Sequence, residues 1–576
     1  MNQLINRRRL LRNASMTTLG VLGLSVLQAC SSAAPAAPTA APAIKPTTPP
    51  AAPPTPPAAP TAAPAANPTK PPAAQATVVP AAAKPTVAPA QSSTKKGGTV
   101  TLATAQDFPG MDPMLTTAGN GYNLHYLLWG GLTKFGETTD ILPDLAEKWD
   151  TVDPKTFVFY LRKGARFHNN REVVADDVKA SIERVINPET KSPFRAFVDK
   201  LQSVDVVDQY TIKVNLSSPN SVLPADLTQI KIMPRESLGE ANTKPVGTGP
   251  YQFVEFVPGD HVTLKRFDGY WDQPKPYADQ FTIKIVKDDT SLFSAFKTGQ
   301  MDILWQLPAP NVKEVTDNAN LQVLGAKVTG NSFGLQVDCA SAPFNNKLAR
   351  QALLYATDKQ SIFNLGYFDV GLVSKTNSGL PPNHWAFNQN LKEYPFDVQK
   401  AKALFREAGV SDGYTLRYST ISGLFKEWVV QAEILDRSLA ECGIKLEVTA
   451  ADTATWVAVR PPRGDPRAWP HIVSPNGVIQ SSEPAHTMAE YRTFSSRYNV
   501  HYSNPQVDAL LDQGLATVDT EARKTIYAKL QDLLWDEVPW INTHHHPFNH
   551  AAWKHIKGLY VDGQGTLHFE GVSSEK

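Results

Sequence analysis

The apolar positions of this chain change period along its length. In TFVFYL, residues 156–161, Phe157, Phe159 and Leu161 alternate with less apolar neighbours, the two-residue period of a strand with one buried face. Gly164 then turns the chain, and in ADDVKASIERVI, residues 175–186, Val178, Ile182, Val185 and Ile186 fall on one helical stripe. Asp176 and Asp177 suit the N-terminal turn of that helix, where the backbone dipole favours negative charge. Val100 and Leu102 alternate with threonines as an earlier strand, and YTIKVNL (210–216), HVTLKRF (261–267) and FTIKIVK (281–287) carry the same signal. Helical periodicity returns at 346–358, 397–409, 427–443 and 521–536. Strands and helices interspersed in this way predict a mixed α/β body.

One short stretch breaks these periods. VGTGPYQF, residues 246–253, sets two glycines around a threonine and follows them with a proline. A phosphate loop would need backbone N–H groups gathered at a helix N-terminus, with a Lys-Ser/Thr pair following. Neither comes next. Pro250 removes a donor, and Tyr251, Phe253, Phe256, Val262 and Leu264 read as strand, turn and strand. The stretch is expected to be a tight turn.

Composition divides the 576 residues into unlike parts. The chain opens with NRRRLLRNAS and the apolar run MTTLGVLGLSVLQA before Cys30; that run is too short for a permanent membrane span. Arg-Arg-x-Leu-Leu-Arg at 7–12 resembles a twin-arginine export signal, and Leu27-Gln28-Ala29-Cys30 resembles a bacterial lipoprotein cleavage box, although Gln28 is a less common choice there. Residues 1–29 are therefore expected to be a signal peptide and Cys30 a lipidation site. Ser31–Thr94 holds 18 of the 47 prolines, mixed with alanine and threonine. Such a composition buries no core, and at ~3.1 Å per residue in polyproline II form it could reach roughly 200 Å. Residues 30–96 are expected to tether a soluble body to a membrane. The first 94 residues carry seven basic residues and no acid, which leaves the body with 49 Lys+Arg against 55 Asp+Glu, net −6. Nothing there suits a nucleic-acid partner. Cys339 and Cys442 allow one bridge at most, so a disulfide scaffold is excluded.

The segments LPDLAEKWDT, FVFYLRKGARFHNNREVVADDVKASIER, VGTGPYQFVEF, RFDGYWDQPKPYADQFTIKIV and PFNNKLARQALLYATDKQSI, in this order, resemble the family 5 extracellular solute-binding proteins, the dipeptide, oligopeptide and nickel receptors of ABC importers. The C-terminal IKGLYVDGQGTLHFEGVS is similar to the dipeptide receptors, and the resemblance covers nearly all of 97–576. It implies a two-lobed, periplasmic-binding-protein-like α/β fold of the large peptide-receptor type, with a hinge and a ligand cleft between the lobes. Lobe I is expected from 97–282 plus 535–576, and lobe II from 283–534. The implied partners are a peptide or small organic solute and the permease subunits of an importer. The chain is expected to act as a monomer at the outer face of the cytoplasmic membrane, with no cofactor and no catalysis.

Aromatic walls with a few oriented polar groups suit such a cleft. Tyr122, in a loop that borders the cleft in the relatives, and Trp385, where relatives carry a segment near the ligand, are the leading candidates; Trp305 and Trp456 follow. Dipeptide receptors hold the ligand ammonium with an aspartate just before an Asp-Pro pair, and the carboxylate with an arginine. Aligned on the resemblance, the pair corresponds to Glu483-Pro484, the aspartate to Gln480, and the arginine falls near Gly423, with Lys426 the nearest cation. A neutral Gln480 cannot supply the charge-assisted bond a buried ammonium needs. Either Glu483 has taken over that role or the ligand is no simple dipeptide: a longer peptide, or alternatively a glycoside. Two rival readings are tested below. GNSFG, 330–334, matches the nucleophile-elbow pattern of a hydrolase with Ser332 as nucleophile, but Phe333, Leu335 and Val337 continue as a strand where the elbow needs a helix. In NTHHHPFNH, 542–550, His544 and His546 would share one face of a strand; structural histidines are the expected reading, and binding of a metal or metal chelate with a third ligand, as in the family's nickel branch, is the alternative.

Overall fold

The computed structural model describes residues 96–116, 119–328, 331–377, 379–421, 426–452, 472–478, 483–493 and 501–576; for 119–123, 426 and 472–478 it describes the backbone alone. Two large sheets organise these residues. In the first, seven strands run in the order Leu321–Leu324, His550–Trp553, Ile303–Leu304, Thr99–Thr104, Gln280–Ile285, His261–Arg266, Tyr251–Val257. Thr99–Thr104 lies at its centre, parallel to both neighbours. A central parallel strand must be covered on both faces, and its side chains divide accordingly. Val100 and Leu102 enter one core with Val262, Leu264, Phe281 and Ile283. Ala103 enters another, on the opposite face, with Leu292, Phe293 and Phe296 of the helix Asp289–Lys297.

A four-stranded antiparallel sheet, in the order Ala146–Asp153, Thr156–Leu161, Thr211–Leu216, Leu201–Asp208, shares the first core. Phe157, Phe159 and Leu161 are all buried, as their alternation requires, and Val178, Ile182 and Val185 of the helix Ala175–Ile186 pack in the same core. Arg171 links the carboxylate of Asp177 in the first turn of that helix to Glu236, and Asp177 also accepts from the Val174 N–H. The acidic first turn is thus used as the sequence suggests.

The second large sheet has six strands: Leu372–Val373, Trp540–His546, Asn331–Gln336, Ile472–Val478, Thr415–Ile421, Lys445–Ala451. The helices Lys347–Ala356, Val398–Glu407 and Lys426–Glu441 join its core. A third cluster, from the helices Pro505–Ala516 and Thr520–Glu537, packs on Leu380, Phe387 and Trp540. Cys339 and Cys442 are free thiols, and burial raises both pKa values, to about 12 and about 11.

Sheet membership places the division between the two bodies elsewhere than expected. Ile303–Leu304 and Leu321–Leu324 hydrogen-bond into the first sheet rather than the second, and Trp540–His546 into the second rather than the first. The chain leaves the first sheet after Leu324 and enters the second at Asn331, and it returns between His546 and His550. The two passages touch, since a Cβ on Gly325 would stand 2.7 Å from Asn549 Oδ1, and Asn549 O is held to the first body by the Leu307 N–H at 2.7 Å. Two adjacent short crossings joining two separately cored sheets are the anatomy of a hinge.

VGTGPYQF is a turn that locks onto another element. The Gly249 N–H donates to Leu128 O, Thr248 Oγ1 accepts from the Gly130 N–H, and Trp129 Nε1 donates to Val246 O. A side chain on Gly247 would land on the Leu128 carbonyl oxygen, and one on Gly249 would stand 2.5 Å from Leu127 O. Both glycines are therefore required by close backbone approach, and the strand Tyr251–Val257 follows at once.

Candidate functional site

Two of the sequence-predicted residues, Trp385 and Glu483, are brought together through Arg523. The helix Thr520–Glu537, capped by Asp519 accepting from the Ala522 N–H at 2.8 Å, buries a stripe of Arg523, Tyr527, Leu530, Gln531 and Leu534. Against its first turns lies Trp385, half-buried, whose ring meets Tyr527 edge-on at 6.2 Å and stacks with His384 at 5.8 Å. The Arg523 guanidinium stands 5.4 Å from the Trp385 ring centroid and 5.6 Å from that of Tyr527, within cation–π range.

Arg523 also holds Glu483. Its Nη2 donates to Glu483 Oε1, and both residues are 8% exposed. Burial disfavours the guanidinium charge, yet the Glu483 carboxylate beside it holds the Arg523 pKa above its ordinary value. The same Oε1 accepts from the Ala485 N–H at 3.3 Å, so Glu483 caps the helix Pro484–Met488. Burial next to Glu483 raises the Tyr527 phenol to about 12, so it stays neutral. A carboxylate tied in this way to a guanidinium and a helix N-terminus is already matched in charge. Glu483 is therefore not presented as a replacement for the missing amine-binding aspartate.

The other predicted positions separate. Trp305 is a core residue, 6% exposed, its N–H bonded to Ala103 O and its ring stacked on His550 at 6.4 Å; it is not an open wall. Tyr122 belongs to the helix Gly119–Leu128 and Lys426 opens the helix Lys426–Glu441, but the side chains of both lie outside the described residues. Trp456, Gln480 and Cys30 lie outside them altogether.

Both rival chemistries fail on geometry. Ser332 is 1% exposed inside the strand Asn331–Gln336, paired on both sides, and its Oγ accepts from Asn542 Nδ2 at 2.7 Å. A nucleophile elbow presents its hydroxyl at a helix N-terminus, which this is not. His544 and His546 do share one strand face, their rings 6.3 Å apart. His544, however, is packed between Phe333 at 5.2 Å and Tyr367 at 3.6 Å. Burial pushes the His544 pKa well below the ordinary imidazole value, with help from His546 and His545, and burial lowers that of His546 as well. His546 Nδ1 donates to Val370 O at 3.2 Å. Among the described residues no group of three or more His, Cys, Asp or Glu is arranged to hold a metal ion. His544 is packed as one ring of a buried aromatic cluster.

Sequence reasoning missed Arg523, although a signal was present: it is a lone charge at the four-residue spacing on an otherwise apolar and aromatic stripe with Tyr527 and Leu534. Asp226 and His486 were also missed. No periodicity joins two positions 260 residues apart.

Residues 140–481 match the family model described as bacterial extracellular solute-binding proteins, family 5, middle. The chain is similar to heme-binding protein A of Haemophilus influenzae, 28% identical over 528 residues, which covers 85% of this chain and 95% of that protein. It is 26% identical over 521 residues to the dipeptide-binding protein of Escherichia coli, covering 81% and 92% respectively. Among solved structures, the ABC transporter-associated periplasmic binding protein DppA of Helicobacter pylori, in complex with the peptide STSA, superposes with a TM-score of 0.71 at 24% identity, over 84% of this chain and 99% of that one. The chain thus shares the fold of that periplasmic binding protein.

Proposed function

This chain belongs to the bacterial extracellular solute-binding proteins of family 5, and from that premise we propose that it is the capture subunit of an ABC importer, closing on an organic solute in the cleft between its two bodies and handing it unchanged to a membrane permease. The relatives named above bind heme and dipeptide or carry a bound peptide, which supports a peptide or similar organic solute. The observation that favours larger solutes over free dipeptides is the pairing of Glu483 with Arg523. With Gln480 neutral and Glu483 already matched, a free ammonium finds no carboxylate at the aligned positions. A longer peptide needs none, because its main chain offers hydrogen bonds at every residue. The test is mass spectrometry of the molecules released on denaturing the purified protein. Peptides longer than two residues, or another large organic solute, are expected; dipeptides alone would refute this ligand class.

The chain is proposed to reach its site of action as a lipoprotein. The support is the twin-arginine-like segment at 7–12, the box ending at Cys30 and the proline-rich tether that follows. No helix among the described residues is long and apolar enough to cross a membrane. Two lobes are proposed to follow the sheets, 97–328 with 547–576 and 331–546. In the native host, Cys30→Ser is expected to move the protein from the membrane fraction to the soluble extracytoplasmic fraction. Unchanged partition with membranes would show that the anchor lies elsewhere.

A further inference from the structure

Apart from the two crossings of the chain, the bodies meet at a second, non-covalent contact. The segment Asn220–Asp226 belongs to the first body: Asn220 N donates to Pro154 O at 2.8 Å, and Leu223 and Leu227 are in the first core. The helices Pro484–Met488 and Pro505–Ala516 belong to the second, where Ala485, Met488, Val507 and Leu511 share one cluster. Five interactions among the described residues join the two bodies here. The Ser221 N–H donates to Leu515 O at 2.8 Å, and Ser221 Oγ lies 3.4 Å from Gly514 O. Val222, 4% exposed, packs into the second body's cluster. His486 Nε2 donates to Asp226 Oδ1 at 2.6 Å. The edge of the Phe197 ring, also from the first body, meets the His486 ring at 5.7 Å. Asn220 Nδ2 fixes the other oxygen of the same carboxylate at 2.6 Å.

We infer that His486 and Asp226 form a charged clasp that holds the two bodies together in the closed form and loosens as the imidazolium loses its proton. The inference deepens the proposed capture function and rests on it. Rigid-body opening about the two crossings has to break hydrogen bonds that run from one body to the other. Apolar contact through Val222 alone would have no pH dependence; a buried imidazolium–carboxylate pair supplies one. The clasp is also next to the candidate site, because His486 lies on the short helix that Glu483 caps.

Among the described residues, the charged groups that act on the imidazole are Asp226 across the contact, Glu483 at the cap of its own helix and Arg523 from the helix Thr520–Glu537. On the side of Phe197 stand Arg195 and Asp199, the latter near enough to feel Asp226. Burial disfavours the protonated ring, but the charge and hydrogen bond of Asp226 outweigh it and raise the His486 pKa above the ordinary 6.5. The sign follows. A base whose pKa is raised in the closed form stabilises that form fully below its open-form value, and the contribution is lost as pH rises through the raised value.

The Ser221 amide reports the contact directly and needs no ligand, so a failure here leaves the capture reading standing, and an unexpected solute leaves the clasp standing. Hydrogen–deuterium exchange on the full chain, resolved to single residues and expressed relative to the unstructured rate at each pH, is the measurement. Protection of Ser221 in the wild type is expected to be greatest near pH 6 and to fall above it. In Asp226→Asn and in His486→Gln it should drop about tenfold near pH 6, and in His486→Gln its pH dependence should vanish. Amides of the helix Ala175–Ile186 serve as the control for intact folding. If Asp226→Asn does not fold, His486→Gln alone decides. Ser221 protection unchanged in the folded variants, or a pH dependence that survives in His486→Gln, would overturn the inference.

Discussion

Replacing Arg523 by Met is expected to cost about 3–5 kcal/mol of folding stability. The side chains of Arg523 and Glu483 are 9% and 11% exposed, so the substitution leaves the Glu483 carboxylate in a site shielded from water without its cationic partner. Met keeps most of the apolar stem that packs near Trp385 and Tyr527, which removes lost volume as the cause. The charge itself can then be tested by the double variant Glu483→Gln, Arg523→Met. Because the buried ion is gone, that protein is expected to recover most of the loss, as replacements of whole buried pairs commonly do. Urea denaturation followed by circular dichroism gives the comparison. A single-variant loss under about 1 kcal/mol, the range of an exposed pair, would show that Glu483 and Arg523 are solvated and would reopen Glu483 as a ligand group.

Gly247→Ala is expected to be as damaging, for a steric reason. Its Cβ would occupy the place of the Leu128 carbonyl oxygen and stand 2.7 Å from Trp129 Cδ1. Backbone cannot yield as a side chain can, so relief means separating the 246–250 turn from the end of the helix Gly119–Leu128. That would break the Gly249 N–H bond to Leu128 O and the His168 N–H bond to Gly247 O. A cost of about 3 kcal/mol or more is expected, at the upper end for overpacking. Gly239→Ala is the matched control, since nothing lies within 4 Å of the Cβ it adds. Equal melting temperatures for the two variants would contradict the account of the turn.

What the sequence disclosed follows the range of the forces involved. Alternation at Phe157, Phe159 and Leu161 and the stripe at Val178, Ile182 and Val185 are local patterns, and the structure buries all six. The Gly-Thr-Gly-Pro turn was also legible, because Pro250 and the alternation after it are local signals. Sheet membership was not. Ile303–Leu304 and Trp540–His546 are apolar or mixed runs whose pairing partners are chosen by topology, hundreds of residues away. Both strands therefore pair with a sheet other than the one the expected lobe bounds assign them. In the candidate site, Trp385 and Glu483 are proposed from the resemblance, whereas Arg523 is not, although it pairs with Glu483. His544 and His546 show the reverse case. Their shared face was predicted correctly, but the aromatic packing by Phe333 and Tyr367 that makes them structural comes from two other elements. The clasp between Asp226 and His486 has no local signature at all.

The central claim, capture without chemistry, is tested most directly by returning the released solute to the emptied protein. The protein is unfolded, washed free of solute, refolded and titrated calorimetrically with the recovered molecule, which is then extracted again and weighed by mass spectrometry. The account predicts saturable binding of one solute per chain with micromolar or tighter affinity, and recovery of the molecule with its mass unchanged after prolonged incubation. Recovery of cleaved or otherwise converted products, or no rebinding by a protein whose circular dichroism shows it refolded, would contradict it.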